Sequence, residues 1–161
     1  MAIHLAQPQS NEEWRRARQL VEEYVASLNL DLSFQNIAYE LDNLSSEYSP
    51  PAGAFFLAQE DGTDLGCVGL RRFAEGVGEI KRLYTAPAAR GRGVGRLLAQ
   101  SAVASGRHLG YHRLLLDTLP SMREAQSLYT SLGFTPTTAY RVNPVEGTAF
   151  LELRLDEKQD V

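Results

Sequence analysis

Six consecutive residues have the types and spacing best suited to chemistry in this chain: Arg90, Gly91, Arg92, Gly93, Val94 and Gly95. They follow a β-branched and aromatic run that ends at Pro87, and an apolar-periodic stretch begins at Val94. Glycines let the backbone approach a ligand closely, and the first turn of a helix presents unpaired N–H groups with a partial positive charge. With the charges of its arginines and of Arg96, this strand–turn–helix predicts a phosphate-binding loop.

Three alternatives to this interpretation follow from the same residues. A dinucleotide-binding turn needs G-x-G-x-x-G directly after its strand, but Arg96 stands at the third glycine position and residues 86–90 separate strand from turn. Asp117 nevertheless ends a later expected strand, as a ribose-binding acid would, so this alternative stays open. A nucleotide-triphosphate loop needs Gly-Lys-Ser/Thr after four spacer residues, which the chain lacks. An ordinary tight turn with solvated arginines is the third alternative.

Two segments resemble a known family. The pattern R-x-x-G-x-G after a strand is similar to the acetyl-CoA pyrophosphate signature of the GNAT superfamily of N-acetyltransferases. The pattern A-x-x-L-Y-x-S-L-G-F, from Ala125 to Phe134, resembles the family's second CoA-binding motif. The resemblance is most specific from Glu79 to Phe134 and weakest before residue 54 and after residue 135. It implies direct transfer of an acetyl group from acetyl-CoA to a primary amine of a small molecule or peptide.

The resemblance also implies which residues bind the cosubstrate. In relatives the strand before the turn is splayed from the next strand, and its backbone binds the pantetheine arm. The implied cofactor-binding set is therefore Leu83, Tyr84, Thr85, the six turn residues and Arg96. Relatives carry an asparagine at the position of Met122, and a thioether cannot make the hydrogen bonds of an amide. We expect that contact to be missing or to come from Ser121 or Thr118.

Two catalytic residues are implied in the same way. Glu79 lies eleven residues before Arg90, where relatives carry a glutamate that deprotonates the amine through water. Its alternative role is an exposed carboxylate paired with Lys81 on the same strand face. Tyr129, in the second motif, would donate a proton to the leaving thiolate. Its alternative role is a core tyrosine on an amphipathic helix.

The expected elements follow the order of the GNAT fold. The first strand is Ile3–Gln7, a helix begins after the capping box of Ser10 and Glu13, and Ser33 caps a second helix that continues to Leu44. An irregular loop follows over residues 45–53. The remaining elements are strands Ala54–Gln59, Leu65–Phe73 and Glu79–Thr85, helix Val94–Leu109, strand Arg113–Asp117, a helix capped by Ser121, and strand Thr148–Arg154.

This order predicts an α/β (α+β) three-layer fold, with a mixed, mostly antiparallel central sheet flanked by helices on both faces. We expect a single GNAT-like domain over residues 1–161, of which 155–161 form a polar tail. The composition, 43% hydrophobic and 22% charged over 161 residues, is typical of one globular domain.

Composition also narrows the class of protein. The net charge of −4 argues against general nucleic-acid binding, and no apolar stretch is long enough to span a membrane. Cys67 is the single cysteine, so the chain has no internal disulfide or thiolate zinc cluster, and its three histidines lack zinc spacing. We therefore expect a cytoplasmic protein without a metal, and Cys67 as a buried structural thiol.

Charge distribution bears on the ligands. The segment from Glu79 to Arg113 contains seven lysines and arginines and only one acidic residue, which suits a phosphate-rich ligand. The segment from Ser10 to Asp61 contains ten acidic residues and three arginines, which favours a cationic amine as acceptor. Three other arginines would instead suit a carboxylate on the acceptor: Arg71, Arg72 and Arg141. The acceptor stays open at this point, and so does the oligomeric state, a homodimer included.

One alternative function belongs to another class. A GNAT-fold module that binds acyl-CoA without turnover would keep the glycine turn but would need neither Glu79 nor Tyr129 in a catalytic role. Binding of acetyl-CoA without release of thiol to any amine would distinguish this module from an enzyme.

Overall fold

The strands form one sheet of seven in the computed structural model, which describes residues 2–29 and 36–155. In chain order they are β1 His4–Ala6, β2 Ala54–Glu60, β3 Thr63–Ala74, β4 Val77–Thr85, β5 Arg113–Thr118, β6 Thr135–Pro136 and β7 Ala149–Arg154. The order in space is β1-β2-β3-β4-β5-β7-β6. All neighbouring strands are antiparallel except β4 and β5, which are parallel. The expected strands are confirmed to within two residues at each end, and β6 is an addition.

Helices cover both faces of this sheet. They are α1 Asn11–Leu28, α2 Ile37–Asp42, α3 Leu44–Glu47, α4 Val94–His108 and α5 Arg123–Ser131. One core lies under α4 and α5 and contains Leu98, Ala102 and Tyr129, while the other lies under α1, α2 and α3 and contains Val21 and Leu44. The three-layer α/β fold expected from the sequence is thus confirmed.

Two helix ends follow from their local sequences. The Ser10 hydroxyl accepts a hydrogen bond from the Glu13 backbone N–H at 3.1 Å, which confirms the predicted cap of α1. At the end of α5, Gly133 has a φ of +100°. The Phe134 N–H donates to the Tyr129 carbonyl at 3.1 Å, the hydrogen bond of a Schellman motif.

Two expectations about helix boundaries were wrong. The predicted Ser121 cap is not formed: the Met122 N–H donates to the Leu119 carbonyl at 3.0 Å in a turn, and α5 begins after Met122 with no side-chain cap. The loop expected at residues 45–53 is helical over its first three residues, since α3 extends to Glu47. The short helix α3 is held by local hydrogen bonds, such as the one from Glu47 N–H to the Asn43 carbonyl at 3.0 Å. No apolar periodicity in the sequence predicts it.

The predicted cap at Ser33 lies outside the described residues, as do residues 156–161 of the expected tail. Leu155 does not belong to a polar tail, because it is only 9% exposed and its N–H donates to the His112 carbonyl at 2.8 Å. Among residues 2–29 and 36–155, no helix is long and apolar enough to cross a membrane.

Candidate active site

The sheet opens between its two parallel strands. β4 and β5 pair at only three positions: Val77 with Arg113, Gly78 with Leu114 and Glu79 with Leu115. Beyond these positions β4 continues to Thr85 and β5 to Thr118 without further pairing. The described strands therefore diverge toward the glycine turn, and this edge of the β4 backbone is left without a strand partner from Ile80 onward.

A β-bulge in β4 accompanies this divergence. Lys81 pairs with Gly69 and Tyr84 with Cys67, so two residues of β4 lie opposite one residue of β3. The first of the two, Arg82, has a φ of +62°. A bulge bends its strand and increases the local twist. The Arg82 carbonyl accepts a hydrogen bond from the thiol of Cys67 at 3.4 Å. Cys67 is fully buried, as expected for a structural thiol.

The bulge also turns Arg82 toward α2. The Arg82 guanidinium donates to both oxygens of the Glu40 carboxylate, at 2.7 and 2.9 Å. Strand alternation alone would have placed Arg82 on the opposite face from Lys81. This pair could not be predicted from the sequence, because neither the bulge nor a partner 42 residues away has a local signal.

A cavity of about 50 Å³ lies where the two strands diverge. Its walls come from α1, β4, β5, α5 and the segment before β7. They comprise Tyr24, Leu28, Ile80, Lys81, Arg82, Leu83, Asp117, Thr118, Leu119, Met122, Ala125, Tyr129 and Asn143. Five members carry titratable or charged groups suited to acid–base chemistry or ion binding: Tyr24, Lys81, Arg82, Asp117 and Tyr129. Only the last of these was singled out for catalysis from the sequence.

The glycine turn lies at the end of β4 and leads into α4. Gly91 and Gly93 have φ angles of +80° and +78°, and a Cβ built on either would meet nothing within 4 Å. Gly93 is the N-cap residue of α4, so the following N–H groups face outward without intrahelical partners. Val94 is buried beneath them. The turn therefore has the open space and the backbone donors that a phosphate requires.

The arginines of this region lie around the turn with partners of their own. Arg92 forms an ion pair with Glu60 at 2.6 Å, and Arg96 donates to the Ser131 hydroxyl at 2.9 Å. Arg90 donates to the backbone carbonyl of Thr85 at 3.4 Å. All three side chains are on the exposed surface.

The strand residues expected to bind the cosubstrate divide between the two faces. Leu83 packs against the core under α4 and lines the cavity. Tyr84 points the other way, toward α1, and its hydroxyl lies 3.5 Å from a carboxylate oxygen of Glu23. Thr85 closes the strand beside Gly95, whose added Cβ would lie 3.6 Å from the Thr85 hydroxyl. The side chains of Leu83 and Tyr84 lie on opposite faces of the sheet. What the three residues have in common is the backbone edge of β4 beside the opening.

Glu79 is fully buried and surrounded by donors. Its carboxylate accepts a hydrogen bond from the Tyr140 hydroxyl at 3.0 Å and forms an ion pair with Arg141 at 2.6 Å. Arg71 donates to its other oxygen at 3.3 Å. Burial alone would raise the pKa of Glu79, but the charges of Lys81 and Arg141 outweigh it and hold that pKa below its ordinary value.

The carboxylate of Glu79 is therefore neither exposed nor part of the cavity wall. The sequence left open an exposed carboxylate paired with Lys81, and the exposure is wrong, because both Glu79 and Lys81 are buried. Its partners Tyr140 and Arg141 come from the segment between β6 and β7, which has no regular periodicity. No signal in the sequence indicated this contact.

Tyr129 is 5% exposed, lines the cavity and packs edge-on against Phe134, with ring centroids 5.5 Å apart. Burial raises the pKa of Tyr129 well above its ordinary value, so its phenol stays protonated at neutral pH. Met122 also lines the cavity, and the Thr118 hydroxyl donates to its sulfur at 3.7 Å. The two interpretations of Tyr129 are compatible here: the ring belongs to the core and the residue borders the cavity.

Comparisons with known proteins agree with this geometry. The model of the acetyltransferase (GNAT) family matches residues 13–134. An uncharacterized N-acetyltransferase of Schizosaccharomyces pombe is 38% identical over 142 residues, 87% of each chain. A GNAT-family acetyltransferase of Staphylococcus aureus shares the fold at a TM-score of 0.78 and 19% identity, over 96% of this chain and 99% of that one. A Salmonella typhimurium structure containing acetyl-CoA matches at a TM-score of 0.70 and 19% identity, over 100% and 98%.

The chain belongs to the GNAT family of acetyltransferases. This confirms the family that the glycine turn and the LYTSLGF segment predicted, and with it the expected class of acyltransferase enzyme. The roles of individual residues remain predictions.

Proposed function

We propose that this chain transfers an acetyl group from acetyl-CoA to a primary amine of a small molecule or peptide by direct attack of the amine on the thioester. The observation that carries the proposal is the divergence of β4 and β5 beside the N-terminus of α4. An extended ligand can pair with the unpaired backbone edge of β4 as an added strand would. The helix N-terminus supplies donors and a favourable dipole for phosphate.

In this proposal, the backbone of Leu83, Tyr84 and Thr85 binds the pantetheine arm, and the turn from Arg90 to Arg96 binds the pyrophosphate. The open space above Gly91 and Gly93 supports that placement. The arginines around the turn add positive charge at its rim. Further support comes from the Salmonella typhimurium relative in fold, whose structure contains acetyl-CoA.

The proton balance of the reaction defines what the protein must provide. An ammonium acceptor loses one proton before its nitrogen attacks the carbonyl carbon. As the carbon–sulfur bond breaks, the nitrogen loses a second proton and the thiolate gains one, so that one proton in all leaves to solvent. Tyr129 borders the cavity as a neutral phenol, and we assign it the donation to sulfur. It regains the second proton lost by the nitrogen.

Glu79 enters the proposal as a base that acts indirectly. Its oxygens already accept from Tyr140 and Arg141, so it would receive a proton through the Tyr140 hydroxyl or an ordered water and not by touching the amine. A carboxylate with a lowered pKa is a weak base. Glu79 is therefore the less well supported of the two catalytic assignments.

The cytoplasmic location expected from the sequence also stays part of the proposal. Its support is the buried free thiol of Cys67, which fits a compartment where thiols stay reduced and where acetyl-CoA is supplied. Fractionation of cells that express the tagged chain would test it.

The decisive test of function is an amine screen with the purified chain, in which release of CoA thiol is followed and the product is identified by mass spectrometry. We expect acetylated amine and free CoA in equal amounts. Binding of acetyl-CoA without thiol release from any amine would overturn the enzymatic proposal and favour the binding module.

A further inference from the structure

Asp117 lies two residues beyond Leu115, the last residue of β5 that pairs with β4, at the opening of the sheet. Leu116 packs in the core under α4, so strand alternation places Leu115 and Asp117 on the other face. Glu79, the partner of Leu115, and Lys81 share that face. If the pairing continued in register, Lys81 would lie opposite Asp117; the strands diverge there, and both residues line the cavity.

One oxygen of Asp117 has unused hydrogen-bonding capacity. Its Oδ2 atom is buried and receives no hydrogen bond from any residue in the described ranges. A buried carboxylate oxygen without a donor is costly, and such groups in native proteins usually mark a bound water, an ion or a functional site. A ligand in the cavity that brings its own N–H donors would remove this cost.

The arginines around Glu79 already have carboxylate partners. Arg141 forms an ion pair with Glu79 at 2.6 Å, and Arg71 lies 3.3 Å from Glu79 and 3.5 Å from Glu40. These two arginines were expected to bind a carboxylate on the acceptor, but their charges are balanced by carboxylates of the protein. A cationic group finds a better complement in the unpaired oxygen of Asp117 than an anionic group finds in the paired arginines.

We propose that Asp117 binds the protonated primary amine of the acceptor, and that the natural acceptors are therefore cationic amines. This inference rests on the proposed acetyl transfer and deepens it by naming the substrate class and the residue that selects it. Asp117 acts as a binding residue, so its loss should weaken acceptor binding more than it slows turnover of bound acceptor.

The test uses the full chain, acetyl-CoA and two amines at neutral pH and constant ionic strength. Butylamine is protonated under these conditions, whereas aniline is uncharged. Asp117→Asn keeps the shape of the side chain and removes its charge. Asp42→Asn is the matched control, because Asp42 has 67% of its side chain exposed on α2 and its loss makes the same change in net charge.

We expect Asp117→Asn to raise the KM for butylamine about 10- to 100-fold, the loss of one charged hydrogen bond, with a much smaller change in kcat. The KM for aniline should change less than about twofold, and Asp42→Asn should change neither constant. An unchanged KM for butylamine in Asp117→Asn would overturn the inference. An equal rise for aniline would overturn it as well, because it would show a general loss of cavity shape.

The failure of the proposed acetyl transfer can be told apart from the failure of the Asp117 inference. If the wild-type chain binds acetyl-CoA but acetylates neither these amines nor any other, the enzymatic proposal fails. Calorimetric titration of butylamine into the CoA complex then still tests Asp117. Equal affinities in the wild type and in Asp117→Asn would overturn the inference, and weaker binding only in Asp117→Asn would support it.

Discussion

Arg82 and Glu40 form a buried bidentate ion pair, with Nε to Oε2 at 2.7 Å and Nη2 to Oε1 at 2.9 Å. The two residues are 4% and 2% exposed. The pair connects α2 to the bulge of β4, at the position where β4 has left β5. The geometry of the opening therefore depends on a helix on the opposite side from α4 and α5.

Removing one partner of this pair should be strongly destabilising. Glu40→Ala leaves the Arg82 guanidinium buried without its carboxylate, and we expect a loss of about 3–5 kcal/mol in the free energy of unfolding. Urea denaturation measures it. The exposed pair of Glu12 and Arg15, at 62% and 57% side-chain exposure, is the control, and Glu12→Ala should lie within experimental error of wild type. Similar losses in both variants would contradict the importance assigned to burial.

Acetyl-CoA should stabilise the folded chain. At a ligand concentration about 100 times the dissociation constant, mass action adds about 2.7 kcal/mol to the free energy of unfolding. Thermal melting with acetyl-CoA, CoA and NAD should show an increase in Tm for the first two alone. An increase with NAD only would favour the dinucleotide-binding alternative.

Gly93→Val should weaken acetyl-CoA binding more than it weakens folding. The φ of +78° disfavours a β-branched residue, and the added methyl groups project into the open space where we place the pyrophosphate. Gly62→Val is a matched control, because Gly62 has a φ of +77° and equally open surroundings in the β2–β3 turn. We expect similar losses of stability in both variants but a higher dissociation constant only in Gly93→Val, measured by calorimetry. Equal affinities would show that the phosphate site lies elsewhere.

Tyr129→Phe should slow turnover and leave the fold intact. The ring keeps its contact with Phe134, and only the hydroxyl of this cavity-lining residue is lost. General-acid catalysis contributes about 10²–10⁴-fold, and a thiol leaving group places the expected loss in kcat near the lower limit. The dissociation constant for acetyl-CoA should hardly change. Wild-type kcat at saturating amine would show that Tyr129 is a core residue without a catalytic role.

The contribution of Lys81 to stability should depend on pH. Burial and the nearby charge of Arg82 lower the pKa of Lys81 to about 7, against opposing effects of Glu79 and Asp117, whereas the unfolded chain keeps its ordinary value near 10.5. Between these values the unfolded state binds more protons, so the stability contributed by Lys81 rises with pH and is lost as pH falls toward 7.

Lys81→Met removes this titration. We expect the unfolding free energy of Lys81→Met to exceed that of wild type by the largest amount near pH 7, and this difference to shrink toward pH 10. Urea denaturation at pH 7, 8.5 and 10 measures the difference. A difference that does not change with pH would contradict the lowered pKa of the lysine in the folded state.

The sequence predicted the surroundings of some site residues better than those of others. Tyr129 was located from its sequence context, since a helix that ends at Gly133 in a Schellman motif brings residue 129 beside Phe134. Asp117 was noted only as a possible ribose acid, because its place with Lys81 in the cavity wall depends on where β4 and β5 pair and where they diverge. The environment of Glu79 was missed entirely, since its partner Tyr140 is 61 residues away.

The sequence alone determined those features whose hydrogen bonds lie within a few residues. They include the Ser10 cap, the glycine turn that starts α4, the end of α5 at Gly133, and the alternation that defines the long strands. Only the tertiary structure decided where β4 leaves β5, that Arg82 occupies a bulge, and that Glu40 is its partner. These features arise from packing between segments far apart in the chain, where burial and register are set by the whole sheet and not by neighbouring residues.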